Sequence, residues 1–520
     1  MNRLVPAWLS PHRTVLLALV ALAVYTFALA AVDIGDEGFG YRPAALVRSL
    51  VVVIVVSAVV TYACAAVVRV PPNSDSWLIT ALILFFVMPV GVDAGTLKAA
   101  ALGAVAASLS KYVLVWRRRL IVNPVVAGAV TCYVFSYAQI GGIAYLSWWV
   151  ASRELLIPMI VIGVLTITAL REWPLIVAYL AAALSTAAIA AAVHPTGHTL
   201  ALILNSTPLL FLGVFMLPEP LTSPATRRPR LAYGALVGTL MYSSIYVKVT
   251  ETYAFGFDPE IALLVGCLFA FAVRLASGTA RRVPLDVSTS PMVASTYRVS
   301  ADGRVAFRPG QWATVSTPHW RWPLWVRSRR VFSFASAPNA SSDAGLVEFG
   351  FTVSHTPSRF KDALIGGARR AYVDNVGGDF VLAPRVRRSS RVVLISSGIG
   401  ITPFASMLRS LLDDGEDLAG LAIVHVVRAA DRAAYADLVE RAAASGALVG
   451  CVVSAELADG FDAESLREVL PSAWTSADAT HYFISGAPAF VGSTARSVRR
   501  VDPRTLLRPW RIHTDSFTGY

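Results

Sequence analysis

Runs of apolar residues long enough to cross a lipid bilayer fill the first half of this 520-residue chain and cease near Ser277. A spanning helix takes about 20 predominantly apolar residues, and about ten runs reach or approach that length. They lie near Arg13–Val32, Ala44–Val68, Ser76–Gly91, Lys98–Val115, Pro124–Ile140, Leu155–Leu170, Pro174–Val193, Thr199–Leu217, Leu231–Val247 and Pro259–Ala276. In lipid the backbone must satisfy its own hydrogen bonds, so residues 1–277 are expected to form a polytopic α-helical membrane domain. "FALAAV" after the first run has the small residues of a signal-peptidase site, though that run is long for a signal peptide.

Arginine and lysine placement orients the helices. With the N-terminus in the cytoplasm, inner loops carry Arg69, Arg117, Arg118, Arg119, Arg171, Arg227, Arg228 and Arg230. Outer loops carry Asp33, Asp36, Glu37, Asp93, Glu251 and Asp258, with Lys98, Arg153 and Lys248 against the bias. Trp148 and Trp149 suit an outer aromatic belt. An even helix count then places both termini of a multi-pass cell-membrane protein in the cytoplasm. The net charge of +12 suits an anionic inner leaflet and does not require nucleic acid. Cys64, Cys132, Cys267 and Cys451 contain no CxxC pair, so buried free thiols and no metal site are expected. A centre built from the three membrane cysteines is the alternative.

Beyond Gly278 the rhythm shortens. "LDVSTSPMVASTYRV", "VAFRPGQWATVS" and "LVEFGFTVS" alternate between turns, as in a small β-barrel over residues 278–384. Over 385–520, "RVVLISS", "PFASMLRSLL", "LAIVHVV", "AAYADLVERAA", "LVGCVVS" and "HYFISG" alternate strand and helix, as in a doubly wound α/β domain. In "ISSGIGITPF", Gly398 and Gly400 let the backbone approach a pyrophosphate, and the helix behind Pro403 offers free N–H groups. A purely structural strand-to-helix turn has the same pattern.

The order "RRVFSFAS", "GIGITPF", "ISGAPAF" and terminal "HTDSFTGY" resembles the ferredoxin–NADP reductase superfamily from about Val283 to Tyr520. The resemblance implies an FAD-binding barrel and an NAD(P)-binding domain. It implies that Arg330 grips the FAD pyrophosphate, that Phe332 packs on the flavin or ribityl region, and that Ser333 hydrogen-bonds near the reactive nitrogen. It sets Gly378 and Phe380 beside the adenine end and Lys361 near phosphate, an exposed lysine being the alternative. Gly398, Gly400, Thr402, Pro403 and Gly486 fall on the nicotinamide side. Ser485 stands where the family has cysteine, with Ala487 inserted before Pro488. Asp515 and Phe517 match the acid-x-aromatic ending, and Tyr520 supplies an aromatic over the flavin face. Ser333, Ser485, Asp515 and Phe517 are thus the implied catalytic set. Arg428 is a candidate for a 2′-phosphate, so NADH and NADPH both stay open.

The membrane half resembles the RnfD and NqrB subunits over about Asn73 to Ala276. "NSDSWLITALILFFVMP", "KYVLVWRRRLIVNPVVAG" and "FMLPEPLTSPATRRPRLAYGALVG" carry the resemblance, with Glu219 in place of an aspartate. Pro89 and Pro218 end the third and eighth runs, while Asn123-Pro124 and Asp258-Pro259 start the fifth and tenth. Five helices separate each pair, as an inverted repeat with broken helices requires; coincidental prolines would give the same spacing. The resemblance implies FMN, often covalent, in the bundle. The Ser-Gly-Ala-Thr attachment motif is absent and "SGTA" at Ser277–Ala280 scrambles it, so non-covalent FMN or riboflavin is expected. Asn123, Thr222 and Ser223 are candidates to line that site, or simply to cap a broken helix. Haem is not expected: His12, His194 and His198 are the membrane half's histidines, and none lies within the apolar runs.

Together these readings predict an NAD(P)H oxidoreductase that passes electrons through a membrane flavin to an extracytoplasmic acceptor, such as a flavinylated protein. Quinone reduction, a redox-driven ion pump and a flavin transporter or anchor with a degenerate reductase domain are the rivals.

Overall fold

The computed structural model describes residues 11–32, 40–68, 74–116, 119–170, 172–193, 208–243, 246–248, 254–276, 283–293, 295–321, 324–338, 346–353, 358–429, 433–453, 461–475 and 480–516. The chain divides between Ser277 and Gly278 into two compact units.

The first unit is helical: α1 (Pro11–Val32), α2 (Pro43–Val68), α3 (Ser74–Val87), α4 (Ala94–Val113), α5 (Pro124–Tyr137), α6 (Leu156–Leu170), α7 (Trp173–Val193), α8 (Arg227–Met241) and α9 (Pro259–Ala276). Five segments among the described residues are long and apolar enough to cross a membrane: His12–Val32, Pro43–Val68, Arg153–Leu170, Trp173–Ala192 and Pro259–Ala276. Of the remaining runs, the fourth forms the continuous 20-residue helix α4 and the others form shorter elements. Helices α3 and α5 have 14 residues each and α8 has 15. The first part of the eighth run, residues 199–207, lies outside the described residues. Its visible end is a short helix, Leu209–Phe211, passing into a π-helical turn, Leu212–Met216. The start of α5 is locally fixed: Pro124 sits in its first turn, where a missing N–H costs nothing, and Asn123 caps that turn by accepting from Val125 N at 2.9 Å.

Helix α2 packs on α3 and α4, and α4 on α5; likewise α7 packs on α8, and α8 on α9. Helix α1 meets α6, and α5 meets α9. Glycines set the closest crossings: a Cβ on Gly128 would lie 2.5 Å from Gly103 O, and one on Gly238 would lie 2.3 Å from Tyr179 O. Close backbone approach of this kind is how helices associate where lipid removes the hydrophobic drive.

Two sequence expectations are corrected here. Trp148 and Trp149 are buried, not arrayed in an aromatic belt. Trp149 Nε1 donates to Phe85 O at 2.7 Å and Trp148 Nε1 donates to Glu260 Oε2 at 3.0 Å, so both indoles find partners inside the unit and need no interfacial water. Of the four thiols, Cys132 and Cys267 are buried, but Cys64 is half-buried on α2 and Cys451 is exposed on a sheet-edge strand.

The second unit begins with an antiparallel barrel: β1 (Val283–Pro291), β2 (Thr296–Asp302), β3 (Trp312–Arg321), β4 (Leu324–Ser333), β5 (Leu346–Thr352) and β6 (Arg370–Gly377), ordered β4-β3-β6-β1-β2-β5. A bridge between Phe334 and Phe349 brings the two edge strands together, so the barrel is nearly closed. Phe332, Phe334, Phe349, Phe351 and Phe360 fill it, the last carried on a short helix α10 (Arg359–Ile365). Next comes a five-stranded parallel sheet of β7 (Arg391–Ser397), β8 (Leu421–Val427), β9 (Leu448–Val453), β10 (Thr480–Gly486) and β11 (Ile512–Ser516), ordered β9-β8-β7-β10-β11. Helices α11 (Thr402–Asp413), α12 (Ala436–Ala444) and α13 (Pro488–Val501) connect the strands. The strand order reverses between β7 and β10, where such sheets bind ligands at their carboxyl ends.

Barrel and sheet share a polar joint. The Glu348 carboxylate lies 3.4 Å from Arg298 Nε and 3.1 Å from Arg409 Nη1, and both guanidinium groups face the buried Tyr435 ring. Arg409 Nη1 also donates to Ala335 O at 2.9 Å, and Ser406 Oγ donates to Ser336 O at 2.6 Å.

Candidate active site

A cleft of about 480 Å³ opens between the barrel and the carboxyl edge of the sheet. Barrel strands β3, β4 and β5 contribute Trp312, Arg330, Phe332, Ser333, Gly350 and Thr352; helix α10 contributes Lys361. The sheet side contributes Ile399, Thr402, Asp515 and Ser516. Thus Arg330, Phe332, Ser333, Lys361, Thr402 and Asp515, far apart in sequence, line one cavity.

Their surroundings suit a phosphorylated flavin. Arg330 is exposed at the cleft, beside Arg329, which pairs with Asp374 at 3.2 Å. Lys361 is buried, and its Nζ donates to Thr352 O at 2.7 Å, which excludes the exposed-lysine reading. Burial, then the neighbouring Arg330 charge, holds that amine below the usual lysine range, as expected of cations gathered for an anion not yet present. Ser333 Oγ is buried in the wall and makes no hydrogen bond among the described residues. An orphaned hydroxyl beside a cationic rim is a feature that a bound FAD would satisfy. Phe332 lines the cleft, but its ring stacks on Phe360 at 5.6 Å and belongs largely to the barrel core.

Phe380 departs from its expected place. It is buried against Phe404 and Phe483, at 5.7 and 5.4 Å, so it forms the barrel–sheet core rather than the cleft wall. Gly378 has φ +105 and lies on the Trp312 ring, where a Cβ would come within 2.8 Å.

At the sheet edge, Gly398 has φ +52, a backbone state that glycine adopts without strain. Gly400 is pressed against the turn after β10: a Cβ there would lie 2.6 Å from Ser485 O and 2.8 Å from Gly486 Cα. Pro403 and Thr402 begin α11, with Thr402 Oγ1 donating to Ile399 O at 2.6 Å. The two turns therefore form one surface. Arg428 is exposed just beyond β8. Phe517 and Tyr520 lie outside the described residues.

Register adds a feature that motif reading missed. Asp515, Ser485, Ser396 and His425 are direct neighbours across β11, β10, β7 and β8. Ser396 Oγ and His425 Nδ1 are 2.8 Å apart, whereas Ser485 Oγ, Asp515 Oδ2 and His425 Nε2 have no hydrogen-bond partner among the described residues. Burial pushes the Asp515 carboxyl up to about 6 and the His425 imidazole down to about 4.

In the membrane unit, Asn123, Thr222 and Ser223 are all buried. Asn123 Nδ2 donates to Met216 O at 3.3 Å, and Thr222 N and Ser223 N donate to Glu219 O at 3.2 and 3.0 Å. Cys267 contacts the Thr222 side chain and the Asn123 backbone, and Arg274 Nη1 donates to Leu221 O at 2.9 Å. These groups hold the broken backbone, as the capping alternative requires. They do not fit a flavin seat, because such a ligand would have to displace this network. Glu260, which sequence reading passed over in favour of Glu219, is the buried acid on α9.

The parallel sheet and the glycine turns have the form of a dinucleotide-binding α/β domain, and the cationic cleft opens at its carboxyl edge. Residues 394–496 match the oxidoreductase NAD-binding domain, and residues 150–257 match the NQR2, RnfD, RnfE family. One chain thus carries a segment similar to the NQR2, RnfD, RnfE family and a segment similar to the oxidoreductase NAD-binding domain. It is 29% identical over 127 residues to oxidoreductase NAD-binding domain-containing protein 1 of Pongo abelii, a match spanning 24% of this chain and 39% of that protein. Similar solved structures include the flavohem-like FAD/NAD binding domain of nitric oxide dioxygenase from Vibrio cholerae, at 19% identity and TM-score 0.37, covering 45% of this chain and 98% of that one. The Amycolatopsis cytochrome P450 reductase GcoB gives 22% identity and TM-score 0.38, covering 46% of this chain and 70% of that one. Ferredoxin-NADP+ reductase from Plasmodium falciparum gives 14% identity and TM-score 0.37, covering 45% of this chain and 96% of that one.

Proposed function

We propose that this protein oxidises cytoplasmic NAD(P)H at the cleft and delivers the electrons through its membrane unit to an acceptor on the opposite face. The observation that carries the reading is the covalent union, in one chain, of a reductase cleft with an NQR2/RnfD/RnfE-type segment. FAD, when bound, supplies two-electron uptake from a nicotinamide and single-electron release. Arg330 and Lys361 hold its phosphates, Ser333 donates to its ring system, and Gly398 and Gly400 let the nicotinamide nucleotide reach the cleft. Asp515 places a carboxyl that can exchange a proton at the cleft edge.

A hydrocarbon layer about 30 Å thick is too wide for direct transfer, so the membrane unit must house a carrier. FMN or riboflavin is the class that the sequence resemblance implies, seated apart from the Asn123–Thr222–Ser223 network. The matching contacts of α2, α4 and α5 with those of α7, α8 and α9 support an inverted repeat, whose interface is the natural place for such a group. Glu260, buried on α9, favours ion coupling as a second reading.

The test is flavin content and redox behaviour of the detergent-purified chain. Two flavins per chain, both bleached by NADH or NADPH, support the transmembrane route. FAD alone would refute that route and point to an acceptor, such as quinone, on the nucleotide side. Flavin that NAD(P)H cannot bleach would favour the transporter or anchor reading. Loss of Na⁺ or proton movement in Glu260→Gln vesicles, with electron transfer retained, would support coupling.

A further inference from the structure

The three most exposed large apolar residues of the described reductase unit are Leu506, Leu507 and Trp510, at 63%, 84% and 60% exposure. All three fall within one short stretch, comprising helix α14 (Arg504–Leu507) and the 3-10 turn Pro509–Arg511. This is a built platform. Asp502, 1% exposed, receives Tyr482 OH at 3.3 Å and Arg504 N at 3.2 Å. Thr505, fully buried, donates through Oγ1 to Asp502 O at 2.7 Å, and Arg508 N donates to Arg504 O at 3.0 Å. Buried polar groups thus fix a turn whose apolar side chains point away from the protein.

The charge around it is one-sided. Residues 496–511 contain Arg496, Arg499, Arg500, Arg504, Arg508 and Arg511 against the single carboxylate Asp502, which is buried. Arg496, Arg499, Arg500, Arg504 and Arg508 are exposed. Leucine and tryptophan rimmed by arginine is the chemistry of a bilayer interface: apolar groups enter the headgroup boundary while arginines meet lipid phosphates. The chain already carries five helices of membrane-spanning character, so a lipid surface is always within reach.

We propose that residues Arg504–Trp510 form a second, peripheral membrane anchor that docks the reductase unit on anionic lipid. Strand β11 starts at Ile512 and carries Asp515 into the cleft, so the anchor grips the element that bears a cleft residue. The proposal is independent of which acceptor the protein serves.

The test uses the full chain in nanodiscs, with Cys64 and Cys451 replaced by serine and Leu507→Cys labelled with an environment-sensitive fluorophore. With phosphatidylglycerol present, the label should shift to the blue and be quenched by lipids spin-labelled near the headgroup. A label returned to Cys451 should not respond. Each arginine near an anionic surface shifts the docked-to-undocked ratio about fivefold, so Arg504→Gln with Arg508→Gln should lower it about thirtyfold. High salt should act in the same direction. A label left unquenched in every lipid would overturn the proposal. So would a blue shift and quenching of the same size in nanodiscs of phosphatidylcholine alone, because anionic lipid would then play no part.

Discussion

Replacing Gly400 with alanine puts a methyl group where no space exists. The added Cβ would lie 2.6 Å from Ser485 O, 2.8 Å from Gly486 Cα and 2.9 Å from Gly486 N. All three are backbone atoms, so no side chain can swing aside, and the turns after β7 and β10 must separate. Overpacking of this kind costs about 1–3 kcal/mol. If that cost falls on the nucleotide-bound geometry, affinity drops about 5- to 150-fold. The assay is calorimetric titration of the detergent-purified chain with NAD⁺ and NADP⁺, which needs no turnover. Gly415→Ala is the control: its φ of +67 brings a backbone strain that Gly400→Ala lacks, but no atom lies within 4 Å of the new Cβ. The control should bind normally even if it unfolds at a lower temperature. A Gly400→Ala protein that binds within about twofold of the parent would refute the assignment of these turns to the nucleotide.

Lys361→Met should weaken FAD retention about 10- to 100-fold, the worth of a charge-assisted hydrogen bond, read as flavin lost on dilution. For Asp515, burial raises the carboxyl to about 6, so the folded state holds its proton below about pH 6 and releases it above. Its stability contribution is complete below the unfolded value of about 3.9 and disappears as pH rises through about 6. Asp515→Asn should remove that dependence from the thermal midpoint of flavin release measured between pH 4 and 7. Glu348→Gln should leave two guanidinium groups facing Tyr435 without their carboxylate and destabilise the reductase unit by about 2–4 kcal/mol. Hydrogen exchange across 335–349 and 402–409 should then rise together, and unchanged protection would refute the joint.

Legibility followed the range of the interaction. Short-range periodicity placed the barrel and the α/β sheet, because alternation and glycine punctuation are local. The cleft set Arg330, Ser333, Lys361, Thr402 and Asp515 was readable from motif order. Burial was not: "SWW" looks identical at an interface and in a core, and only the partners Phe85 O and Glu260 distinguish them. Phe380 failed similarly, since its aromatic partners Phe404 and Phe483 lie on distant elements. The row from Asp515 to His425 depends on strand register, which no stretch of sequence encodes alone. The third membrane helix was overstated because hydropathy continues past Pro89 to Gly91, whereas the helix ends at Val87.

The joint at Glu348 bears on how such a chain can be rebuilt. One carboxylate from the barrel answers to an arginine of its own subdomain and to another from α11, with Tyr435 behind them. A nucleotide sheet transplanted from a relative to switch the electron donor would arrive without Arg409 or Tyr435 unless they were grafted too. The recipient barrel would then present a stranded acid at the seam. Interchangeable parts in this protein therefore end at residues that touch no cofactor, and a productive chimera must carry its fastening with it.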